Sequence, residues 1–174
     1  CELDVCGNFG QASDQPVTGD WNGSGTAKVG VFRAGSWYLD ANGDGQWKNC
    51  ELDVCGSFGQ ASDLPVTGDW NGDGRTEVGV FRNGSWYLDA NGDGQWKNCE
   101  LDVCGSFGQA SDLPVTGDWN GDGKAKVGVF RNGSWFLDYN GNGAWDGCLQ
   151  DGGQDRCYIG SFGITGDLPV AGRW

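Results

Sequence analysis

The feature that most constrains this chain is a sequence of 49 residues that occurs three times in succession, at residues 1–49, 50–98 and 99–147. The first two copies differ at 7 positions, and the second and third differ at 9. Repeats that bury their faces only against neighbours form quasi-one-dimensional stacks. A fourth, divergent copy begins at Cys148 and stops at Trp174. We therefore predict a partial leading repeat at 1–16, repeat units at 17–65, 66–114 and 115–169, and the start of a further unit at 170–174.

Each unit is predicted to be all-β, with four short strands and almost no helix. Glycine makes up 34 of the 174 residues, and clusters of Gly, Asn and Asp recur too often for long helices. In the second copy, strands are predicted around 65–68, at 77–82, at 85–88 and around the cysteines through Gly59, with a hairpin turn at Asn83-Gly84. Four strands in about 45–50 residues is the size of a propeller blade.

A first acidic loop follows the first predicted strand of each unit. In the second copy, Asp69, Asn71 and Asp73 place side-chain oxygens at positions 1, 3 and 5. Arg75 offers a backbone carbonyl at position 7, and Glu77 offers a carboxylate at position 9. Calcium takes six to eight oxygen ligands at about 2.3–2.6 Å, and a loop of this kind can wrap it. The pattern therefore predicts a calcium site.

The same loop is less complete in the other two copies, since position 9 is a lysine in both, Lys28 and Lys126. The candidate ligands that remain are Asp20, Asn22, Ser24 and Thr26 in the first copy, and Asp118, Asn120, Asp122 and Lys124 in the third. These departures from the second copy put metal affinity in these two loops in question.

A second acidic loop follows the third predicted strand. Its candidate calcium ligands are Asp40, Asn42, Asp44 and Gln46, then Asp89, Asn91, Asp93 and Gln95, and finally Asp138, Asn140, Asn142, Ala144 and Asp146. The alternative for both kinds of loop is a cluster of Asx turns, in which Asp and Asn side chains bond their own backbone. None of the loops is an EF-hand, because no flanking helices are predicted and position 12 of the loop at Asp69 is Val80.

The sequence Val-Thr-Gly-Asp-Trp-Asn-Gly-Asp-Gly, followed by Val-Gly-Val-Phe-Arg, resembles FG-GAP/VCBS repeats. Such repeats occur in integrin-type and lectin-type β-propellers and in microbial surface proteins. The resemblance implies a propeller-like blade with calcium bound by Asp69, Asn71, Asp73 and Glu77. Propellers close with roughly four to eight blades. Because only three units lie between duplicated chain ends, we expect an open array or a head-to-tail filament rather than a ring from one chain.

The eight cysteines form four close pairs, Cys1/Cys6, Cys50/Cys55, Cys99/Cys104 and Cys148/Cys157. We predict disulfides within these pairs, since pairing between units would leave Cys1 and Cys157 without partners. The alternative is a thiolate zinc site, but the C-x2-C spacing and histidine are absent. Disulfides indicate an oxidising setting, here extracellular or at the cell surface.

Three Asn-Gly-Ser sequences begin at Asn22, Asn83 and Asn132 and match the N-glycosylation sequon. The alternative is that Asn-Gly serves only the turn. The ten tryptophans also have two interpretations. They could stack on sugar rings, or they could cover loops and fill the space between sheets.

Several functions are disfavoured by composition. Without histidine there is no Ser-His or Cys-His pair, so we do not expect an enzyme. A net charge of −13 disfavours nucleic acid and anionic membranes, and no apolar run approaches the ~20 residues that span a bilayer. We predict a calcium-binding, disulfide-stapled structural protein that self-associates into an extracellular stalk or filament. The alternative is a carbohydrate-binding propeller or an accessory module of a larger secreted protein.

Overall fold

A computed structural model describes residues 6–160 and 162–172, and within these residues the fold is all-β. Sheet 1 contains β1 (Gln15–Gly19), β2 (Lys28–Arg33), β3 (Ser36–Leu39) and β4 (Val54–Ser57). Sheet 2 contains β5 (Leu64–Gly68), β6 (Glu77–Arg82), β7 (Ser85–Leu88) and β8 (Val103–Ser106). Sheet 3 contains β9 (Leu113–Gly117), β10 (Lys126–Arg131), β11 (Ser134–Leu137) and β12 (Arg156–Tyr158). One turn of 3-10 helix spans Leu149–Asp151, and no described helix is long and apolar enough to cross a membrane.

Each sheet is an antiparallel meander in which the four strands lie in chain order, and none of the three closes into a barrel. β6 and β7 are joined at Asn83 and Gly84, both with positive φ, as the Asn-Gly sequence predicts. In sheet 1 the equivalent position is Ala34, which adopts a φ of 50° although a Cβ disfavours that conformation.

The fourth strand of each sheet comes from the following copy of the sequence. The segment around Cys55, predicted as a strand, pairs with β3 of the copy before it and not with its own copy. Sheet 2 in turn takes β8 from the third copy, with Tyr87 opposite Cys104. Each copy is therefore tied to the next by backbone hydrogen bonds.

The core lies between successive sheets. Trp37 and Leu39 of sheet 1 are buried in one cluster with Val78 and Val80 of sheet 2. The same arrangement recurs one copy later between sheets 2 and 3. The apolar face of one sheet is thus covered by the next sheet, as expected for repeats that bury their faces against neighbours.

A buried ion pair fixes the turn that enters each sheet. Nε and Nη2 of Arg82 donate to the two carboxylate oxygens of Asp63, each at 2.7 Å. Asp63 is buried and also accepts a bond from the backbone N–H of Gln60. The equivalent pairs are Arg33–Asp14 and Arg131–Asp112. Bidentate geometry of this kind adds specificity as well as energy, so it sets the path of the chain between sheets.

Three disulfides lie wholly within the described residues, and all three join cysteines of the predicted local pairs. They are Cys50–Cys55, Cys99–Cys104 and Cys148–Cys157. The predicted partner of Cys6 is Cys1, which lies outside the described residues. Each bridge closes the loop that leads into the fourth strand of a sheet.

Replacing Trp86 with Ala should lower the free energy of unfolding by about 3–5 kcal/mol, because a fully buried indole leaves a cavity. Trp86 is 0% exposed, and its indole N–H donates to the Phe107 carbonyl at 2.8 Å. Urea denaturation followed by circular dichroism measures the change. Trp96→Ala is the control, since Trp96 is 37% exposed and should cost much less. Equal losses in the two variants would contradict this account of the core.

Candidate metal centre

The loop at residues 69–77 is built around the carboxylate of Asp69. Its Oδ1 accepts bonds from the N–H groups of Gly72 and Asp73 at 2.6 and 3.1 Å, and its Oδ2 accepts one from Gly74 at 2.8 Å. Asn71 Oδ1 accepts from the N–H of Asp73 at 2.8 Å. These are Asx turns, which were predicted as the alternative to a metal site. They also bring the oxygens at positions 1, 3 and 5 together on one side of the loop.

Glu77 enters this loop from the first residue of β6. Its side chain is buried, and Oε2 accepts a bond from the backbone N–H of Trp70 at 2.9 Å. One carboxylate oxygen from each of Asp69, Asp73 and Glu77 lies within 4.8 Å of the other two. Burial, and then the neighbouring carboxylates, raise the pKa of Glu77 to about 8. No described lysine or arginine forms an ion pair with Glu77.

The donor set of this loop fits a hard divalent cation. Three carboxylates supply oxygen donors of the type that calcium and magnesium prefer. The Asn71 amide nitrogen faces Asp73 Oδ2 and Glu77 Oε1 at 3.4 and 3.5 Å, so this side chain would have to turn over to present its oxygen to a cation. A cation bound there would offset the repulsion between the three carboxylates and the cost of burying Glu77. The carbonyl of Arg75, at position 7, is the further candidate ligand on the backbone.

In the first copy the equivalent loop contains a lysine nitrogen among the same oxygens. Lys28 Nζ lies 3.1 Å from Asp20 Oδ1, 2.8 Å from Asn22 Oδ1, 2.7 Å from Ser24 Oγ and 2.9 Å from the Thr26 carbonyl. Although burial acts to raise it, the pKa of Asp20 is lowered to about 2, chiefly by this lysine. The four predicted ligand positions are thus brought together, around an ammonium group.

The third copy repeats this arrangement. Lys126 Nζ lies 2.6 Å from Asp122 Oδ1, 3.5 Å from Asp118 Oδ1 and 3.0 Å from the Lys124 carbonyl. The bond from Lys126 lowers the pKa of Asp122 to about 2. Asn120 does not face the ammonium group with its oxygen, and its amide donates to Asp122 Oδ2 at 3.0 Å.

The loops at 20–28, 69–77 and 118–126, called the first loops below, contact one another where the sheets meet. The N–H of Thr76 donates to the Asp20 carbonyl at 3.0 Å, and its hydroxyl accepts from the N–H of Asp20 at 2.9 Å. The N–H of Ala125 donates to the Asp69 carbonyl at 2.7 Å. The candidate metal centre therefore lies beside both junctions between sheets.

The second loops, at 40–48, 89–97 and 138–146, are different. Asp89 is buried and accepts bonds from the N–H groups of Asp93 and Gly94. Burial raises the pKa of Asp89. Lys97 Nζ donates to the side chain of Asp93 and is half exposed, as the equivalent Lys48 Nζ is with Asp44. Each of these nitrogens therefore contacts position 5 of its loop and not position 1.

In the third of the second loops, both amide groups point toward the carboxylate at position 9. Asn140 and Asn142 donate to Asp146 Oδ2 at 2.9 and 2.5 Å. Asp138 accepts bonds from the N–H groups of Gly141 and Gly143, each at 2.8 Å. The predicted ligands of this loop are brought together, but its two amides present nitrogen rather than oxygen to the carboxylate.

Sequence reasoning missed an aspartate that packs beside each second loop. Asp53 and Asp102 are buried, and each accepts a bond from the N–H of the lysine at position 9 at 3.0 Å. The Oδ1 atoms of both residues are buried without a hydrogen-bond partner. In the third copy the place is taken by Asp155, which accepts from the N–H groups of Tyr139 and Asp146. The signal was available, because an aspartate stands two residues before the second cysteine of every pair.

The predicted glycosylation sites differ in their surroundings. Asn83 and Asn132 are exposed at the tips of hairpins, with φ of 53° and 49°. Asn22 lies in the first loop of the first copy, and its amide donates to the Ala41 carbonyl at 2.8 Å. The two hairpin positions therefore leave the amide free of loop contacts, and glycosylation stays a prediction.

The tryptophans that follow the second loops pack edge-on against neighbouring rings. Trp96 lies 5.8 Å from Phe58 and 5.1 Å from Tyr87 between ring centroids, and both contacts are T-shaped. Trp47 and Trp145 make the equivalent contacts in the other two copies. These rings pack edge-on against aromatic side chains of the sheets and remain 36–44% exposed.

Comparison of the chain with protein-family models, with curated protein sequences and with solved structures finds no match. The FG-GAP/VCBS resemblance therefore stays a prediction, and the function has to be argued from the geometry of the loops and sheets.

Replacing Glu77 with Gln should raise the melting temperature without calcium and reduce the rise that calcium produces. Glutamine keeps an oxygen for the N–H of Trp70 but removes a carboxyl group that, without calcium, must either take up a proton on folding or carry a buried charge beside two other carboxylates. Thermal denaturation with and without calcium measures both effects. Glu100→Gln is the control, because Glu100 is exposed. A lower melting temperature without calcium, or an unchanged calcium response, would contradict the assignment of Glu77 to the centre.

Proposed function

We propose that this chain is an extracellular, calcium-binding structural repeat protein that stacks head to tail as a subunit of a surface stalk or filament. The observation that carries the proposal is a junction between sheets that is used twice inside the chain. Apolar side chains equivalent to those buried in this junction are exposed on sheet 1 and next to sheet 3. Three disulfides agree with a secreted setting.

The internal junction has both an apolar and a polar part. Trp86 and Leu88 of one sheet share a buried cluster with Val127 and Val129 of the next. Beside this cluster, the hydroxyl of Thr116 in β9 donates to the Thr67 carbonyl in β5 at 2.8 Å. The apolar contact supplies the driving force, and the threonine bond fixes how the first strands of adjacent sheets align.

Sheet 1 and sheet 3 each have an apolar face equivalent to one that is buried in this junction. On sheet 1, Val29 is 45% exposed, whereas the equivalent Val78 is 4% exposed because sheet 1 covers it. On sheet 3, Trp119, Trp135 and Tyr158 line an open groove of about 520 Å³, which residues 170–172 also line. An apolar face that the chain covers wherever it has a neighbour is expected to bind another copy of that neighbour.

Phe162 gives a second measure of the uncovered end. It follows β12 and is 77% exposed, whereas the equivalent Phe107 is 1% exposed in the junction between sheets 2 and 3. A sheet docked on sheet 3 would bury it. Residues 1–14 of the incoming copy repeat the segment at 148–167, so one of these two segments has to be displaced when the sheets dock. A head-to-tail contact that does not close on itself generates a filament, which is the assembly proposed here.

Calcium belongs to this proposal because the first loops lie at the junctions. A cation at residues 69–77 would stabilise a loop bonded to both neighbouring sheets through Thr76 and Ala125. Calcium is proposed over magnesium because a loop of this kind supplies many oxygens with adaptable geometry, whereas magnesium keeps most of its water.

Calcium should raise the melting temperature of the chain, and chelation should reverse the rise. Binding to the folded state alone adds about 2.7 kcal/mol at a free concentration 100 times the Kd. Differential scanning calorimetry with calcium, and then with excess chelator, measures the effect. A melting curve that chelation leaves unchanged would overturn the calcium part of the proposal.

The purified chain should form uniform filaments, which negative-stain electron microscopy and sedimentation would detect. Val29→Lys should abolish them without loss of folding, because the substitution puts a charge on an exposed valine of the end face. Leu52→Lys is the matched control, since Leu52 is 55% exposed within a disulfide loop. Filaments that survive Val29→Lys, or equal loss in both variants, would overturn the docking face.

A carbohydrate-binding module is the second candidate, because the groove on sheet 3 is lined by aromatic rings of the kind that stack on sugars. Compact single particles with and without calcium, together with glycan binding that Trp135→Ala removes, would favour this role over the structural one.

A further inference from the structure

The three first loops share one backbone design but contain opposite charges at position 9. Lys28, Glu77 and Lys126 are related by intervals of 49 residues, and each is the first residue of the second strand in its sheet. All three side chains turn back into the loop that precedes them, where they meet the residue at position 1 or its neighbours. Whatever occupies the centre of these loops is therefore contacted by position 9.

The lysine nitrogens occupy the centre that a metal ion would occupy. Lys28 Nζ contacts oxygens from positions 1, 3, 5 and 7 at 2.7–3.1 Å. These are the four positions from which a calcium loop draws its first ligands. Lys126 Nζ contacts positions 1, 5 and 7. Both side chains are at least nine-tenths buried, at 9% and 5% exposure, so each ammonium is enclosed by its loop.

We propose that Lys28 and Lys126 are tethered cations that replace a divalent ion, and that among the first loops only residues 69–77 take an external one. This inference rests on the calcium binding proposed above. The lysine nitrogens are the independent observation, since in two copies of the same loop a cation is seen at its centre. In the remaining copy, a buried glutamate faces the same place from the same position.

The formal charges of the loops agree with this division. At positions 1, 3, 5 and 9, the first copy has one carboxylate and one ammonium, which leaves no net charge. The third copy has two carboxylates and one ammonium, which leaves −1, and the second copy has three carboxylates, which give −3. A divalent cation would bring the second copy to −1, the value of the third. Only that loop needs an ion from solution to reach the balance that the other two contain.

The arrangement places the ion-dependent loop between two loops that need no ion. Thr76 joins it to the loop of Lys28, and Asp69 joins it to the loop of Lys126. Calcium would therefore act on the middle of the row of first loops, while both outer loops keep their folded form when calcium is removed.

Exchanging the residues at position 9 tests the proposal, with the number of bound calcium ions per chain measured by calorimetric titration and native mass spectrometry. Glu77→Lys should bind one ion fewer than the natural chain, and Lys126→Glu should bind one more. The double variant Glu77→Lys/Lys126→Glu keeps the net charge and should bind the natural number. Glu100→Lys is the control for Glu77→Lys, because it makes the same charge change at an exposed position and should leave the number unchanged.

Stability without calcium gives a second readout that does not depend on ion counting. Glu77→Lys should raise the melting temperature in chelator, because a lysine nitrogen would lie among the carboxylates of its loop. Lys126→Glu should lower it, because its loop would lose an ammonium group and gain a third carboxylate. Ions that bind to the natural chain in numbers that none of these variants changes would overturn the tethered-cation proposal alone. No ions bound by either the natural chain or Lys126→Glu would overturn both this inference and the calcium-binding function.

Discussion

The structure depends on positive charge that offsets the negative charge of carboxylates concentrated in its tight loops. Each acidic loop folds because an aspartate at position 1 accepts several backbone N–H groups, as Asp69 does from Gly72 to Gly74. The same folding concentrates oxygens at one point, and oxygens that face each other repel unless a cation lies between them. The chain meets this requirement with lysine in two first loops and leaves it to an external ion, on our proposal, in the third.

Compensation of charge and packing of the core are coupled because both occur at the junctions between sheets. The Asp69 carbonyl accepts the N–H of Ala125, two residues before Val127, which packs against Trp86 of the preceding sheet. A shift of the loop would therefore disturb the apolar contact a few residues away. On our proposal, this coupling would let a cation bound in the loop influence the stability of the sheets on both sides of it.

The strands could be predicted from local pattern, but their pairing could not. The hairpin at Asn83-Gly84 follows from residues that accept positive φ, whereas the pairing of the segment around Cys55 with the preceding copy depends on how the chain returns after the second loop. The predicted ligand sets also left out Lys28 and Asp53. A lysine at position 9 supplies no oxygen ligand, so the ligand pattern alone treats it as a loss. Asp53 lies outside the loop, beyond the first cysteine of its pair.

The differences between copies fall mainly on the loops and spare the packing faces. Of the 7 differences between the first two copies, four lie within residues 24–28 and their equivalents, while the core tryptophans and the strand valines are the same. The junction geometry can stay constant because the apolar contact that defines it does not change. On our proposal the cation requirement can then vary from one junction to the next, since the residue at position 9 decides whether a lysine nitrogen lies among the loop oxygens. A stack of such units would have one shape throughout, with calcium dependence confined to the junctions where a glutamate stands at position 9.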